Sequence, residues 1–155
     1  RPCDTDSGSG AERMTAHSGK FMPRPRPETA AWWEGCRGHM LMIQRCAQCG
    51  AFQFYPRIVC SSCMSDQVEW VQSSGRGEVS TFTICRLPVA EAYAADVPYV
   101  VALIQLEEGP TMMSNVVECD PESVKTGMQV EVVFETWSEE ITMPQFRPLP
   151  KTSQP

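Results

Sequence analysis

The chain lacks long apolar runs, and it is poor in histidine and in positive charge. No apolar run approaches the roughly 20 residues that a membrane-spanning helix requires. Residues 1–20 contain no apolar stretch of the signal-peptide kind, so we expect a soluble, cytoplasmic protein. The net charge is -6, with 13 Lys and Arg residues against 19 Asp and Glu residues. This balance disfavours a broad nucleic-acid surface, because binding to phosphates requires a basic face.

Sequence motifs for catalysis are absent as well. We find no Gly-x-Ser-x-Gly, no phosphate-binding loop and no dinucleotide fingerprint. The two histidines are His17 and His39, and neither lies near Cys85 or Cys119 in the sequence, although a nucleophilic cysteine needs a base beside it. We read His39 as a helix-end histidine and Cys36 as a packing residue. No catalytic residue is therefore assigned to this chain.

Cysteine, in contrast, is abundant, with eight residues in the chain. Four of them form two Cys-x-x-Cys pairs separated by ten residues, Cys46 with Cys49 and Cys60 with Cys63. The other four are scattered, and this arrangement favours metal binding over a disulfide framework. Gly50 follows the first pair and supplies the permissive backbone that a tight turn needs.

Two such turns predict a structural zinc site with Cys46, Cys49, Cys60 and Cys63 as its ligands. Four thiolates satisfy tetrahedral Zn²⁺ and leave no vacant position for the water that a catalytic site needs. The metal would also replace the hydrophobic core that so short a module cannot build. Iron in a rubredoxin-like site is the alternative metal, and a redox dithiol is the alternative chemistry.

The texture of the remaining chain predicts a mainly β protein. We expect a disordered or extended N-terminal arm at 1–27, a helix at 28–43, a zinc ribbon at 44–66, a barrel at 67–148 and a flexible tail at 149–155. The expected strands are Val68–Val71, Glu78–Leu87, Tyr99–Leu106, Thr111–Glu118, Met128–Thr136 and Ile141–Phe146. Short strands interrupted by a helical turn, which Asp120 would cap, suggest a five-stranded barrel of the OB type.

The segment before the cysteines offers two candidate contact surfaces. Lys20–Pro27 alternates prolines with basic residues, which favours an extended segment, either a solvated linker or an arm that lies on a partner or on ligand phosphates. Trp32 and Trp33 cannot both face one side of a short helix. We expect one to pack on the zinc module and the other to face a partner protein, the alternative being that both are core residues.

These residues resemble a known family. The chain looks like the zinc-ribbon OB-fold proteins that accompany thiolases. The segments that carry this likeness are Gln44–Gly50, Phe54-x-Pro56-Arg57 before the second cysteine pair, Glu69-Trp70 and Ser74–Gly77. The resemblance covers roughly residues 28–148, and it continues downstream at Pro98-Tyr99-Val100, Glu108-Gly109, Asn115-Val116, Gly127-x-x-Val130 and Pro144-x-Phe146.

The resemblance implies an N-terminal helix, a rubredoxin-like zinc ribbon and a C-terminal OB barrel. It also implies a non-catalytic subunit that docks on a thiolase-fold catalytic subunit, in a hetero-oligomer such as α2β2, and helps to bind a coenzyme A (CoA) thioester. Similar proteins are small subunits of benzoylsuccinyl-CoA thiolase, and others accompany steroid side-chain aldolases, acyltransferases and an archaeal acetoacetyl-CoA thiolase. A degradative thiolase is the expected partner, and an acyl-CoA aldolase or acyltransferase is the alternative.

Arginine suits the phosphates and the adenine face of CoA. The candidates are Arg57 and Arg76 first, then Arg45 and Arg86, and the alternative for each is a solvated surface residue. The loop at 89–97 is expected to reach toward a partner, since it is long for a barrel turn. Two other functions stay open: a single-stranded nucleic-acid-binding ribbon and barrel, and a rubredoxin-like electron carrier.

Overall fold

The computed structural model describes residues 19–150, which form one α-helix, three short 3₁₀ turns and eight strands. The helical elements are the 3₁₀ turn Pro27–Thr29, α1 (Ala30–Arg37) and the 3₁₀ turns Glu91–Tyr93 and Pro121–Ser123. The strands are β1 (Met42–Cys46), β2 (Phe52–Gln53), β3 (Val68–Gln72), β4 (Arg76–Cys85), β5 (Tyr99–Leu106), β6 (Thr111–Val116), β7 (Gln129–Thr136) and β8 (Thr142–Pro148). The predictions of disorder for 1–18 and of a flexible tail for 151–155 lie outside the described residues.

The first module is a three-stranded antiparallel sheet in the order β2-β1-β3. The long central strand β1 pairs with β3 along its whole length, from Met42 opposite Gln72 to Cys46 opposite Val68. On its other edge β1 meets the short β2, with Gln44 opposite Gln53. Both cysteine pairs lie at this sheet, because the chain turns after β1 and again between β2 and β3.

The second module is a closed five-stranded barrel in the order β4-β5-β6-β8-β7, which confirms the predicted fold class. Its strands pair antiparallel except at β6 and β8, which meet in parallel at Val116 and Phe146. Asp120 caps the 3₁₀ turn before β7, since its carboxylate accepts a hydrogen bond from the backbone N–H of Glu122 at 3.0 Å. Closure removes the exposed edges that an open sheet of these strands would leave.

The helix is shorter than expected. It ends at Arg37, and His39 then adopts a left-handed backbone with φ of 57°, while its N–H donates to the carbonyl of Cys36 at 3.0 Å. The helix predicted over 28–43 therefore extends past the observed end of α1 and into the start of β1. Met42 and Ile43 belong to that strand because the sheet with β3 supplies their backbone hydrogen bonds.

Strand β5 alternates in burial although its sequence is nearly continuously apolar. Val100 and Ile104 are fully buried, whereas Leu103 is 40% exposed. The reason is geometric, because successive side chains of a strand point to opposite faces and only the inner face of a small barrel is covered. Leu103 lies opposite Met113 of β6 on the outer face, and Met113 is 57% exposed.

One hydrophobic core joins the two modules. Leu41 and Ile43, from the ribbon side, are 1% and 0% exposed and belong to the same buried cluster as the interior of the barrel. The barrel residues in this cluster are Val79, Val100, Ala102, Ile104, Leu106, Met112, Val116, Val124, Val130 and Phe146. The ribbon is therefore packed onto the barrel through apolar side chains and is not an independent domain joined only by a linker.

Candidate functional site

The four predicted ligand cysteines converge on one point. Their sulfur atoms all lie within 4.8 Å of one another, and Cys46 Sγ to Cys63 Sγ and Cys49 Sγ to Cys60 Sγ are each 3.6 Å. These distances are far longer than the roughly 2.05 Å of a disulfide bond. They match a tetrahedron of sulfurs each about 2.3 Å from a central zinc ion, whose edges measure about 3.8 Å.

Backbone N–H groups of the two cysteine turns point at the sulfurs. The N–H of Cys49 donates to Cys46 Sγ at 3.5 Å, and the N–H of Ser62 donates to Cys60 Sγ at 3.3 Å. Backbone hydrogen bonds, from Cys63 first, lower the pKa of Cys60 to about 6. Gly50 has φ of 74° at the first turn, the left-handed conformation that its position required.

The crowding of the sulfurs also opposes full ionisation. At Cys63 the Ser65 backbone N–H lowers the pKa, but desolvation and the three neighbouring thiols raise it on balance to about 12. Four thiolates at this separation repel one another unless a cation neutralises them. The four sulfurs thus fit a closed Zn²⁺ site, in which the ion would pin the two turns together and leave no position for substrate or water.

A buried glutamine pair holds the second cysteine turn in place, and sequence reasoning missed its role. Gln44 and Gln53 are 5% and 6% exposed, and Gln53 Nε2 donates to Gln44 Oε1 at 2.8 Å. Gln44 Oε1 also accepts from the N–H of Arg57 at 2.8 Å, and Gln53 Oε1 accepts from the N–H of Ser61 at 2.8 Å. The available signal was the position of Gln44 in the sequence, two residues before a ligand and thus on the same strand face.

The two adjacent tryptophans diverge. Trp32 is buried, with its ring 5.9 Å from Phe54 of the ribbon and 4.5 Å from Trp33, edge to face. Trp33 is half-buried, and Tyr55, whose ring lies 4.5 Å from Phe54, is 56% exposed. Within residues 19–150, the indole N–H of Trp32 is buried without a hydrogen-bond acceptor. Trp32 is therefore the tryptophan that packs on the zinc module. Trp33 is the one that stays available for the predicted contact with a partner.

The four candidate arginines do not share one site. Arg76 begins β4 and Arg86 follows its end, so the ten residues of this strand, at about 3.3 Å each, separate them by roughly 30 Å. No single phosphate can contact both. Arg86 also forms an ion pair with Glu122, although both side chains are largely exposed.

The other two arginines lie on the ribbon. The guanidinium of Arg45 is 5.7 Å from the centre of the Phe52 ring, across the β1–β2 pair. Arg57 is exposed in the loop after β2. Arg57 and Arg76 are both exposed and offer their side chains to solvent, as a ligand contact would require.

Titratable groups outside the metal cluster do not form a catalytic pair among the described residues. The ring of His39 stacks on Phe134 of β7 at 5.3 Å between centroids, with 3° between the planes. Burial raises the pKa of Cys36 to about 12, which leaves this thiol protonated at neutral pH. Desolvation likewise raises the pKa of Cys119.

In residues 19–150, no helix has the length and apolar character needed to cross a bilayer.

Two family models match successive parts of the chain. Residues 33–69 match the rubredoxin-like zinc ribbon domain of ChsH2, and residues 70–135 match the C-terminal OB-fold domain of ChsH2. A DUF35 domain-containing scaffold protein of Methanothermobacter thermautotrophicus is 36% identical over 115 residues, which are 73% of this chain and 86% of that protein.

One further relative is named as a subunit of an acyl-CoA enzyme, and one similar solved structure is titled an aldolase. A probable enoyl-CoA hydratase alpha subunit of Thermomonospora curvata is 35% identical over 129 residues, which are 81% of this chain. The chain spans only 40% of that relative's length. A solved structure titled Ltp2-ChsH2(DUF35) aldolase superposes with a TM-score of 0.74 and 33% sequence identity, over 82% of this chain and 98% of the matched chain.

Proposed function

The chain belongs to the family of ChsH2-type zinc-ribbon and OB-fold proteins, and from this premise we propose that it is a non-catalytic subunit of an acyl-CoA enzyme complex. Its partner in this proposal is a thiolase-fold enzyme that cleaves a C–C bond, and the two chains form a hetero-oligomer such as α2β2 in the cytoplasm. The observation that carries the proposal is the closed four-sulfur centre, built into a ribbon that shares its core with the barrel. Such a centre stabilises a docking scaffold and has no position for substrate.

The relatives support an assembly role. The methanogen relative is described as a scaffold, the actinobacterial relative as a hydratase subunit, and the solved structure as an aldolase that combines Ltp2 with ChsH2. One description thus names a scaffold, one a subunit of an acyl-CoA enzyme and one an aldolase. The residues needed for chemistry would then come from the partner.

The ribbon supplies the docking surface that we propose. Trp33 is half-buried, and three further apolar side chains of the ribbon are exposed: Tyr55 at 56%, Ile58 at 77% and Met64 at 72%. Aromatic side chains of this kind dominate the energetics of protein interfaces.

Contacts to the CoA thioester form the finer part of the proposal. Arg57 on the ribbon and Arg76 at the start of the barrel are exposed, and a guanidinium pairs well with phosphate oxygens. Arg45 and Arg86 are weaker candidates, because Arg45 lies over Phe52 and Arg86 is paired with Glu122. The phosphates would therefore lie at the ribbon or at its junction with the barrel.

Co-expression with a thiolase-fold protein encoded beside this chain tests the proposal. We expect a stable hetero-oligomer by analytical ultracentrifugation, and loss of about 2 kcal/mol or more of binding free energy in Tyr55→Asp, because aromatic residues are enriched among interface hot spots. Met113→Asp is the matched control, because Met113 is 57% exposed on the outer barrel face. Binding that survives Tyr55→Asp but is lost in Met113→Asp would contradict ribbon docking.

An aldolase partner is the second candidate, and the solved structure favours it. The two reactions differ in their co-substrate, because thiolytic cleavage transfers the acyl group to free CoA, whereas retro-aldol cleavage releases a carbonyl compound without any acceptor thiol. The assembled complex is therefore assayed with and without added CoA. Cleavage that requires CoA supports the thiolase, and cleavage that proceeds without CoA supports the aldolase.

A further inference from the structure

A groove of about 620 Å³ lies where the described chain begins. Its walls are Lys20, the loop of residues 86–98 between β4 and β5, the end of β6 and the β7–β8 hairpin. The ammonium of Lys20 lines the groove together with carboxylates that include Asp96 and Glu118. Glu118 pairs with Arg147, so the carboxylate that holds Lys20 is that of Asp96.

Lys20 is built into this groove. Its side chain is only 9% exposed, and Nζ lies 2.6 Å from Asp96 Oδ2. The same Nζ is 5.4 Å from the ring centre of Tyr93 and 5.4 Å from the ring centre of Trp137. An ammonium held by a carboxylate between two aromatic faces combines an ion pair with two cation–π contacts, and burial strengthens each of them.

These contacts join three separate pieces of the chain. Tyr93 and Asp96 belong to the 86–98 loop, and Trp137 follows β7 at the start of the β7–β8 turn. The next residue strengthens the attachment, because the N–H of Phe21 donates to the hydroxyl of Tyr93 at 3.0 Å and the two rings are 5.9 Å apart. Lys20 and Phe21 thus attach the segment of residues 19–26, called the strap below, to the barrel loop.

The strapped loop exposes two apolar side chains near its start. Leu87 and Val89 are 83% and 69% exposed, on either side of Pro88. At this end of the loop Arg86 pairs with Glu122 of the 3₁₀ turn Pro121–Ser123, while Lys20 holds Asp96 near the other end. Long surface loops that expose apolar residues are typical of binding loops.

We propose that Lys20 is a positioning residue that straps the segment of residues 19–26 to the barrel and so holds the 86–98 loop with Leu87 and Val89 presented to a protein partner. The partner half of this inference rests on the proposed function, and it calls for a concave apolar pocket on the thiolase-fold subunit. The strap itself rests only on contacts within this chain.

Hydrogen exchange on the zinc-loaded full chain tests the strap without any partner. Lys20→Met keeps the apolar stem and removes the ammonium, so we expect amide exchange in residues 86–98 to rise about tenfold, while β5 is unaffected. Lys20→Arg should restore protection, because a guanidinium keeps both the charge and the aromatic stacking. Arg24→Met removes one charge from the same exposed strap and serves as the control. Unchanged exchange in Lys20→Met, or an equal rise in Arg24→Met, overturns the proposal.

Partner binding tests the second half. Lys20→Met and Leu87→Asp should each weaken binding to the thiolase-fold subunit about tenfold, a change typical of interface truncations, with the zinc content unchanged. If exchange rises in Lys20→Met but both variants bind as tightly as the unsubstituted chain, presentation of the loop is refuted. If even the unsubstituted chain binds no thiolase-fold protein, the proposed function fails while the exchange data still decide whether the strap exists.

Discussion

At the scale of single residues, the metal centre depends on side chains that never touch the metal. The side-chain oxygens of Gln44 and Gln53 accept hydrogen bonds from the backbone N–H groups of Arg57 and Ser61, respectively. These hydrogen bonds fix the loop that carries Cys60. The pair is buried, and removal of one partner leaves donors and acceptors without water or protein to satisfy them. Placement of the second cysteine turn is therefore coupled to polar contacts within the ribbon.

The first prediction concerns this pair. Gln44→Leu should lower the free energy of unfolding by about 1–3 kcal/mol, because the N–H of Arg57 and the amide of Gln53 each lose an acceptor. Chemical denaturation of the zinc-loaded protein measures the change. Gln72→Leu, at an exposed position of the neighbouring strand β3, is the control and should change stability by no more than about 0.5 kcal/mol. Equal losses in the two variants would show that the buried network contributes nothing.

At the scale of secondary structure elements, a short linker sets the position of the ribbon on the barrel. Glu108, in the β5–β6 turn, accepts from the hydroxyl of Ser73 at 3.0 Å and from the N–H of Ser74 at 2.5 Å. The carbonyl of Gly75 then accepts from the N–H of Val132 at 2.7 Å. The chain thus passes from β3 to β4 through hydrogen bonds to two other parts of the barrel.

The second prediction tests the close packing at this linker. Gly75 has φ of 73°, and a Cβ placed on it would lie 2.5 Å from Val132 Cγ1. Gly75→Ala should cost about 1–2 kcal/mol for the left-handed backbone and about 1–3 kcal/mol more for the overpacking. Gly127→Ala is the control, because φ is 79° there and no atom lies within 4 Å of the added Cβ. Thermal denaturation compares the two, and equal shifts would contradict the packing argument.

At the scale of the whole molecule, packed side chains connect the four-cysteine site to the barrel core. Leu41 and Ile43 connect the ribbon sheet to the interior of the barrel, and His39 stacks on Phe134 of β7. A loss of order at the cysteines would therefore expose apolar surface that the barrel shares. This coupling lets a small metal site stabilise the full chain.

The third prediction follows from this coupling. Removal of the metal with a chelator should lower the temperature of a single calorimetric transition, since a metal at 100 times its dissociation constant contributes about 2.7 kcal/mol. Acid should act in the same direction, because the metal binds thiolates and protons compete with it for the four sulfurs. The metal's stabilisation should therefore fall as the pH is lowered. Two separate transitions after chelation would contradict the shared core.

The metal site and the class of fold were accessible from the sequence. Both depend on local spacing, since a Cys-x-x-Cys turn brings two sulfurs together wherever it occurs, and alternating apolar strands with Gly and Pro turns favour a small barrel. The bounds of β5 and the turn capped by Asp120 followed from the same local signals. The end of α1 did not, because the pairing of Met42 with β3 competes with helix formation.

What the sequence determined by itself is the set of four metal ligands and the order of helix, ribbon and barrel, because each depends on residues near one another in the chain. Only the tertiary structure decided that Trp32 is buried against Phe54 and that Lys20 lies between Tyr93 and Trp137. The physical reason is that burial, ion pairing and aromatic contact join residues far apart in sequence. Closure of the barrel brings these distant residues into contact, and no local sequence pattern predicts which of them will meet.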